Sequence, residues 1–449
     1  MMLGRARGRP GKLSRFYNNL FVLAGGSVAG QLILLAAAPI LTRLYTPRDL
    51  GIAGVYVSIL GFMSVGCMLR YEMAVAASRD SREAASVTML ACTLALCSAL
   101  LAAGLRSLAV RLVLLHIRSD VRLIVPYLYW VPIGMATTSI YLAFSMWAVR
   151  FEQFRALSAT KVKQAAWAVV IQLGTPFLHR GPLGLLAGQV AGQSGGATGL
   201  IGRAWRADKE DFRRVRLADM KASARKFVRF PAMSLPAVLL ESLFLNAPLV
   251  VLTSLYGATL AGWVTLANRV FFLPGLLLTR NIAQVVLGEM AQVAAADDLR
   301  GMEQLFWKRL KQLSLLGAGA CLVAGAVAPV LIPRVFGKQW TNAWVCAELL
   351  MPALLGNLVA SVFGSALDVL QRQDLHIIRE MGRTIILAIA MGALYIARPK
   401  WIGALAIVGA MSGVAYLWYL WISWWAIHRQ PLRVEHRQQA ALESEAPAQ

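Results

Sequence analysis

Charge is what this chain has least of. Asp, Glu, Lys and Arg make up 15% of its 449 residues, while 58% are hydrophobic. Soluble domains carry about 25% charged residues, so an ordinary water-soluble globular chain is excluded. A mean hydropathy of +0.60 agrees. Acidic residues are the scarcer sign, 22 against 45 basic, for a formal net charge of +23. Cysteine is also sparse. Cys67, Cys92, Cys97, Cys321 and Cys346 lie in or beside apolar runs without CxxC or Cys/His spacing. Buried packing residues are therefore expected, not disulfides or metal ligands. No polar stretch between the apolar runs is long enough for a soluble domain of ~100 residues. Behind the basic start MMLGRARGRPGKLSRF, no short apolar region with a small-residue cleavage site follows. Phe21 to Leu41 is instead a full-length span, so no cleaved signal peptide is expected.

What is present is a series of apolar blocks, each about 17–25 residues long, the length that crosses a hydrocarbon core as helix. They predict an all-α membrane protein of about twelve transmembrane helices: 18–42, 49–69, 85–105, 123–148, 160–178, 182–202, 232–256, 258–280, 312–333, 345–370, 381–397 and 401–427. Twelve is even, so both termini fall on one side. Lys and Arg indicate which side: 33 lie in the tails and alternate loops, 11 in the opposite loops, and Arg269 inside a span. The basic side is expected to be cytoplasmic. The outer loop 106–122 breaks the pattern with Arg106, Arg111, Arg118 and Arg122. Either it meets anionic headgroups or the third and fourth helices are displaced.

The division into domains follows. A basic N-tail (1–17) precedes six helices (18–202), and a linker (203–231) leads to six more (232–427). A polar tail (428–449), expected to be disordered, closes the chain. The linker carries ten Lys and Arg between 203 and 229. Its basic residues lie where membrane topology wants them, so anionic membrane lipid is the expected partner, not nucleic acid. The halves also echo one another. PILTRLYTPRDLGIAGVY from Pro39 and PLVVLTSLYGATLAGWVTLA from Pro248 each place Leu-Tyr at the outer turn, then Gly six residues after Tyr45 and Tyr256. Two repeats of six helices are a transporter plan with a substrate site between the halves.

The run GGSVAGQLILLAAAPILTRLYTPRDLGIAGVYVSI from Gly25, followed by LRYEMAVA from Leu69, resembles the bacterial polysaccharide-biosynthesis (oligosaccharide flippase) family. RFEQFRAL from Arg150, RFPAMSLPAVLLESL from Arg229, LANRVFFLP from Leu266, RVFGKQWTNA from Arg334 and LLMPALLGNLVASVFGSALDVLQRQ from Leu349 continue the series over roughly 20–385. The resemblance implies a multidrug/oligosaccharidyl-lipid/polysaccharide exporter fold, two six-helix lobes around a central cavity. It also implies a flippase carrying an undecaprenyl-diphosphate-linked oligosaccharide from the cytoplasmic to the periplasmic leaflet, for O-antigen, capsule or exopolysaccharide. A polysaccharide polymerase and chain-length machinery are the implied partners. The implied place is the bacterial inner membrane, with both termini cytoplasmic.

Arg269 is the foremost candidate residue. An Arg near the middle of a span costs at least about 2.5–3.5 kcal/mol and should face a cavity or a partner. A guanidinium can hold a diphosphate bidentately, and Arg269 matches the Arg of the family's Ala-Asn-Arg motif. The alternative is a structural pair with Glu241, which lies ~15 Å into the seventh helix. Glu241 and Asp368 are also candidates for carrying a coupling proton. Asn268, Gln31 and Asn246 are candidate cavity-lining groups, or interhelical hydrogen-bond partners, as is Asn357. Arg70, Tyr71 and Glu72 are candidates for a cytoplasmic gate or headgroup contact.

Two patterns have plainer explanations. Gly192-Gln193-Ser194-Gly195-Gly196 matches the G-x-S-x-G nucleophile elbow, but lies in a span with Gly184, Gly188, Gly192 and Gly196 every four residues, a helix-packing face. Trp418, Tyr419, Trp421, Trp424 and Trp425 read as an aromatic belt. No cofactor or metal is expected, though proton, sodium or membrane potential would drive transport. A drug or cation exporter of the same superfamily is the nearest rival, and its cavity should favour acidic groups over Arg269. A glycan polymerase or ligase is a further rival, but the longest outer loop offers only His116 and no carboxylate pair. No enzymatic activity is expected.

Overall fold

A computed structural model describes residues 12–116, 120–296, 298–364, 367, 370 and 372–428. Among them the chain is helical and without strands. The long helices are α1 (Lys12–Leu44), α2 (Pro47–Gly66), α3 (Ser81–His116), α4 (Trp130–Arg150), α5 (Phe154–Gly174), α6 (Leu183–Ala207) and α7 (Leu235–Tyr256). α8 runs from Ala258–Ala267 through a π turn, Asn268–Phe272, into Leu273–Ala295. α9 is Leu299–Phe336, and α10 is bent between Asn342–Leu349 and Met351–Ala360. α11 (Gln373–Ala397) and α12 (Trp401–His428) complete the twelve rods.

Eight described helices are long and apolar enough to cross a membrane, and a pair bent by 51° in α10 makes nine. α5, α6 and α8 fall short for visible reasons. α5 carries Lys161 and Lys163, α6 is rich in glycine, and α8 is interrupted at its π turn. The protein is an all-α, multi-pass membrane protein.

Several boundaries depart from the sequence reading. α8 continues to Ala295 rather than 280 and α9 begins at Leu299 rather than 312, so most of the expected loop 280–311 is helix. α3 continues to His116, so the expected outer loop 106–122 begins as helix. Arg106 is held there with its guanidinium 3.3 Å above the Tyr129 ring, while Arg111 is exposed. Arg118 lies outside the described residues, as do the side chains of Arg122 and His116. α11 begins at Gln373 rather than 381, which moves Arg379 from an expected loop into the helix that also carries Arg383. Residues 1–11 and 429–449, the greater part of both expected tails, lie outside the described residues.

The chain divides into two compact units. Unit 1 holds residues 1–44, 63–110 and 126–235; unit 2 holds 45–62, 111–125 and 236–449. Within unit 1, glycines let helices approach to backbone contact. A Cβ on Gly26 would sit 2.6 Å from the Ser158 carbonyl oxygen, and one on Gly192 would sit 2.8 Å from that of Gln164. α1 and α6 thus both close upon α5. Ser194 Oγ donates to the Val190 carbonyl inside α6 (2.9 Å), so the G-x-S-x-G match is a helix-packing seam. A second cluster joins Trp147 of α4 and Val87 of α3 to Phe212 of the linker.

Unit 2 owes its share of α2 to the repeated glycines. A Cβ on Gly51 would fall 1.8 Å from the Ala258 carbonyl oxygen, and one on Gly262 would fall 1.8 Å from that of Pro47. Each carbonyl belongs to the residue four positions before the other helix's glycine. α2 and α8 therefore cross reciprocally, with the internal repeat written into the contact. The main core of this unit gathers Met290, Phe306, Phe363 and Ile422 from α8, α9, α10 and α12.

Candidate functional site

The break in α8 has a local cause. Pro274 has no N–H to offer the Val270 carbonyl, and its ring crowds that turn. The helix widens into the π turn Asn268–Phe272, a form frequent at functional sites. Asn268 and Arg269 lie on this turn, both half-buried. Phe271, two residues on, lines an apolar groove of about 640 Å³ against α9, together with Leu315, Gly319, Ala320 and Ala324. Phe271 and Ala324 also line a narrower crevice reaching Met351 and Leu354 of α10. Arg269 lies two residues from Phe271 along the turn, and its side chain is not among those that line the groove or the crevice.

On α7, Glu241 is exposed and Asn246 is half-buried. Asn246 Nδ2 donates to the Ser242 carbonyl (2.8 Å), and its amide lies against Gly61 of α2. Ser242 Oγ donates to the Gly61 carbonyl at 3.4 Å. Asn246 is therefore engaged in holding α2 and α7 together. Across from α7, Tyr416 and Tyr419 of α12 are buried.

Those tyrosines belong to a charged cluster that the sequence reading missed. Arg379, Glu380 and Arg383 on α11 are all buried. Arg379 Nε donates to Glu380 Oε1 (3.1 Å) and its Nη1 to the Gly364 carbonyl (3.2 Å). His376 Nδ1 lies 3.0 Å from Arg379 Nη2 and must accept there, because a guanidinium has only donors. Arg383 Nη1 reaches Glu380 Oε2 at 3.0 Å. Aromatic faces enclose both cations: Tyr419 lies 4.0 Å from Arg379, and Phe244 of α7 lies 4.1 Å from Arg383. Asn357 Nδ2 donates to the Tyr416 hydroxyl (2.7 Å). The expected positive side of the membrane counted both arginines as loop charges. The signal that would have found them is IIREMGRTIIL, where charges three and four apart are framed by aliphatic residues.

In unit 1, Arg70, Tyr71 and Glu72 come together as a corner. Leu69 and Arg70 have positive φ (50° and 66°), which turns the chain sharply before the short helix Tyr71–Ala77. Arg70 Nη1 pairs with buried Glu72 (3.1 Å), and Arg70 Nε reaches Ser234 Oγ (3.4 Å). The Tyr71 hydroxyl donates to the Ala224 carbonyl in the linker (3.0 Å). The corner thus ties the end of α2 to the segment that precedes α7. Gln31 is half-buried in α1, beside the glycine seam with α5. Asp368 lies outside the described residues.

The expected aromatic belt is largely turned inward. Tyr419 is buried, Trp418 Nε1 donates to the Arg379 carbonyl (3.2 Å), and Trp424 stacks on His428. Trp421 alone of the five is exposed, while the Tyr419 ring covers Arg379 of the α11 cluster.

The family model described as polysaccharide biosynthesis protein matches residues 40–345. The lipopolysaccharide biosynthesis protein WzxC of Escherichia coli K12 is 28% identical over 154 residues, 34% of this chain and 31% of that protein. The chain thus aligns with about a third of that relative's length. Among solved structures, an inward-facing multidrug resistance MATE family transporter of the MOP superfamily matches with a TM-score of 0.71 at 13% identity, over 93% of this chain and 96% of its own. A MOP superfamily transporter from Pyrococcus furiosus matches with 0.61 at 14% identity, over 92% and 96%. The lipid II flippase MurJ matches with 0.59 at 11% identity, over 96% and 94%. At such identities the likeness is one of fold, and the shared fold is a transporter fold.

Proposed function

Because the chain belongs to the polysaccharide biosynthesis protein family, we propose that it flips a lipid-linked oligosaccharide across the bacterial inner membrane. It is a transport protein rather than an enzyme. The cargo class is an undecaprenyl-diphosphate-linked glycan carried from the cytoplasmic to the periplasmic leaflet, with both protein termini cytoplasmic. The observation that carries this reading is Arg269, half-buried on the α8 π turn and two residues from the apolar groove at Phe271. Its guanidinium supplies the bidentate donors a diphosphate needs, while the groove suits a hydrocarbon chain. Asn268 on the same turn adds neutral hydrogen-bonding capacity for sugar hydroxyls.

In this mechanism the lobes 18–202 and 232–427 are the moving parts, and the basic linker joins them on the cytoplasmic side. Alternating access then exposes the cargo site to one leaflet at a time. Released glycan would pass to a polymerase and its chain-length machinery. The fold also serves a multidrug transporter, so drug or cation export is the second reading; a cationic Arg269 works against it.

Deletion of the gene followed by lipid extraction tests the proposal. Complete lipid-linked oligosaccharide trapped on the inner leaflet is the expected result. Single repeat units that reach the periplasm but fail to polymerise would assign the protein to polymerisation instead. Unchanged glycan with lost drug resistance would favour export of drugs.

A further inference from the structure

Residues 203–229 join α6 to α7 with ten Lys and Arg against four Asp and Glu. From sequence they read as a solvated tether, but in unit 1 they are pinned. Phe212 is buried, its ring 4.8 Å from that of Trp147. The helix Leu217–Lys226 lies across the first turn of α3. Ser223 Oγ is 3.0 Å from Ser86 Oγ, Asp219 is 3.5 Å from Arg82, and Lys226 pairs with Glu83. α3 is one of the membrane-spanning helices, with its span at Ser81–Leu108. The anchorage therefore fixes the linker at the depth where a span begins, the membrane–water boundary.

The other face of the linker helix is open. Leu217, Ala218, Lys221, Ala222 and Arg225 fall at i, i+1, i+4, i+5 and i+8, one stripe of an α-helix, and all are exposed. Large apolar side chains stand out among the cations: Leu217 is 81% exposed, Val228 53% and Trp205 45%. All ten basic residues are exposed. All but Arg214, paired with Glu210, and Lys226 lack a carboxylate within salt-bridge distance among the described residues.

We propose that this face is an interfacial docking surface for anionic phospholipid of the membrane the protein spans. Charge complementarity selects the headgroup, and exposed Leu217 on the stripe reaches the acyl boundary beneath it, with Val228 just past the helix and Trp205 at the end of α6 as further exposed apolar groups. A nucleic acid or a soluble acidic protein would leave those apolar groups without a medium at that depth. This surface is independent of the cargo site on α8, and it goes beyond the flipping reaction. Lipid bound there would hold the connection between the two halves of the chain against the bilayer.

The test is hydrogen exchange of the full-length protein in nanodiscs of pure phosphatidylcholine and of phosphatidylcholine with phosphatidylglycerol. The expected result is exchange over 205–229 about fivefold slower with phosphatidylglycerol, a difference lost at high salt. The quadruple variant Arg213→Gln, Lys221→Gln, Arg225→Gln, Arg229→Gln should lose it too. These four side chains are exposed, so α3 and α4 should exchange as in the unaltered protein, which certifies the fold. Leu217→Asp alone should reduce the protection by opposing insertion. Equal exchange in both lipids would overturn the proposal. Equal protection from soluble polyphosphate added to phosphatidylcholine discs would also overturn it, in favour of a soluble polyanion.

Discussion

Arg269 on α8 and the Arg379–Arg383 pair on α11 are all guanidiniums within helices of unit 2, housed in opposite ways. The α11 pair is buried, shares Glu380 between its members, and lies under the faces of Tyr419 and Phe244. Arg269 is half-buried on a widened turn, two residues along the chain from the groove-lining Phe271. A buried charge inside an apolar bundle persists only when partners surround it, and those partners then immobilise it. The α11 cluster touches α7, α10 and α12, so it acts as a staple. Arg269 sits instead on a turn where the helix is broken and the side chain is only partly buried. The α11 arginines are thus built into the packing, whereas the proposed cargo role falls to the arginine on the broken turn.

The comparison breaks most readily at Arg383. Arg383→Ala leaves Glu380 short of a counter-charge in a buried site, at a cost of about 3–5 kcal/mol. The protein should fail to accumulate as a monodisperse peak on size-exclusion chromatography. Normal accumulation of this variant would remove the staple from α11. At Arg269 the expected division is reversed. Arg269→Ala should reduce glycan export at least about tenfold, while membrane levels by immunoblot stay within about twofold. Export at the ordinary level would dissociate the α8 turn from cargo binding.

The glycine crossing sharpens the picture further. Gly51→Ala and Gly262→Ala each drive a methyl into a carbonyl of the opposing helix and should cost about 1–3 kcal/mol. Because the two contacts are reciprocal, the losses should match, and the double variant should cost less than their sum. Thermal denaturation in detergent measures all three; unequal single losses would argue against the reciprocal crossing. Tyr419→Leu removes the aromatic face over Arg379 and should cost about 0.5–2 kcal/mol by the same assay. The smallest effect belongs to the linker. The Asp219 carboxyl is held below the usual range, first by the Arg216 backbone N–H and then by Arg82. Its contribution is present above the ordinary Asp range and is lost as pH falls through and below it. Asp219→Asn should therefore fray Leu217–Lys226 near neutral pH, read as faster local exchange, and should matter less as the medium becomes acid.

Much of this organisation is legible in the sequence. Spans of Leu, Ile, Val and Ala announce themselves because a hydrocarbon core demands one length and one composition. The repeat of Tyr45/Gly51 in Tyr256/Gly262 is readable because only glycine permits backbone contact between crossing helices. Arg269 is readable because an Arg amid LANRVFFLP is costly wherever it lies. The start of α11 was not readable by the same logic. Charge marks a loop when it faces water, and IIREMGR carries charge that faces tyrosine and glutamate instead. Tyr419 of α12 was unreadable for the complementary reason: its face meets a cation on a neighbouring helix.

Composition and periodicity by themselves determined that this is a multi-pass helical membrane protein with twelve helical segments and an internal repeat. They could do so because burial in lipid acts on each segment separately. Tertiary structure alone decided which charges are staples and how the basic linker is pinned. Those outcomes depend on side chains 30 to 160 residues apart meeting across helices, such as Tyr71 with Ala224 and Arg379 with Tyr419. No local pattern encodes such a meeting, because its energy exists only once the helices have packed.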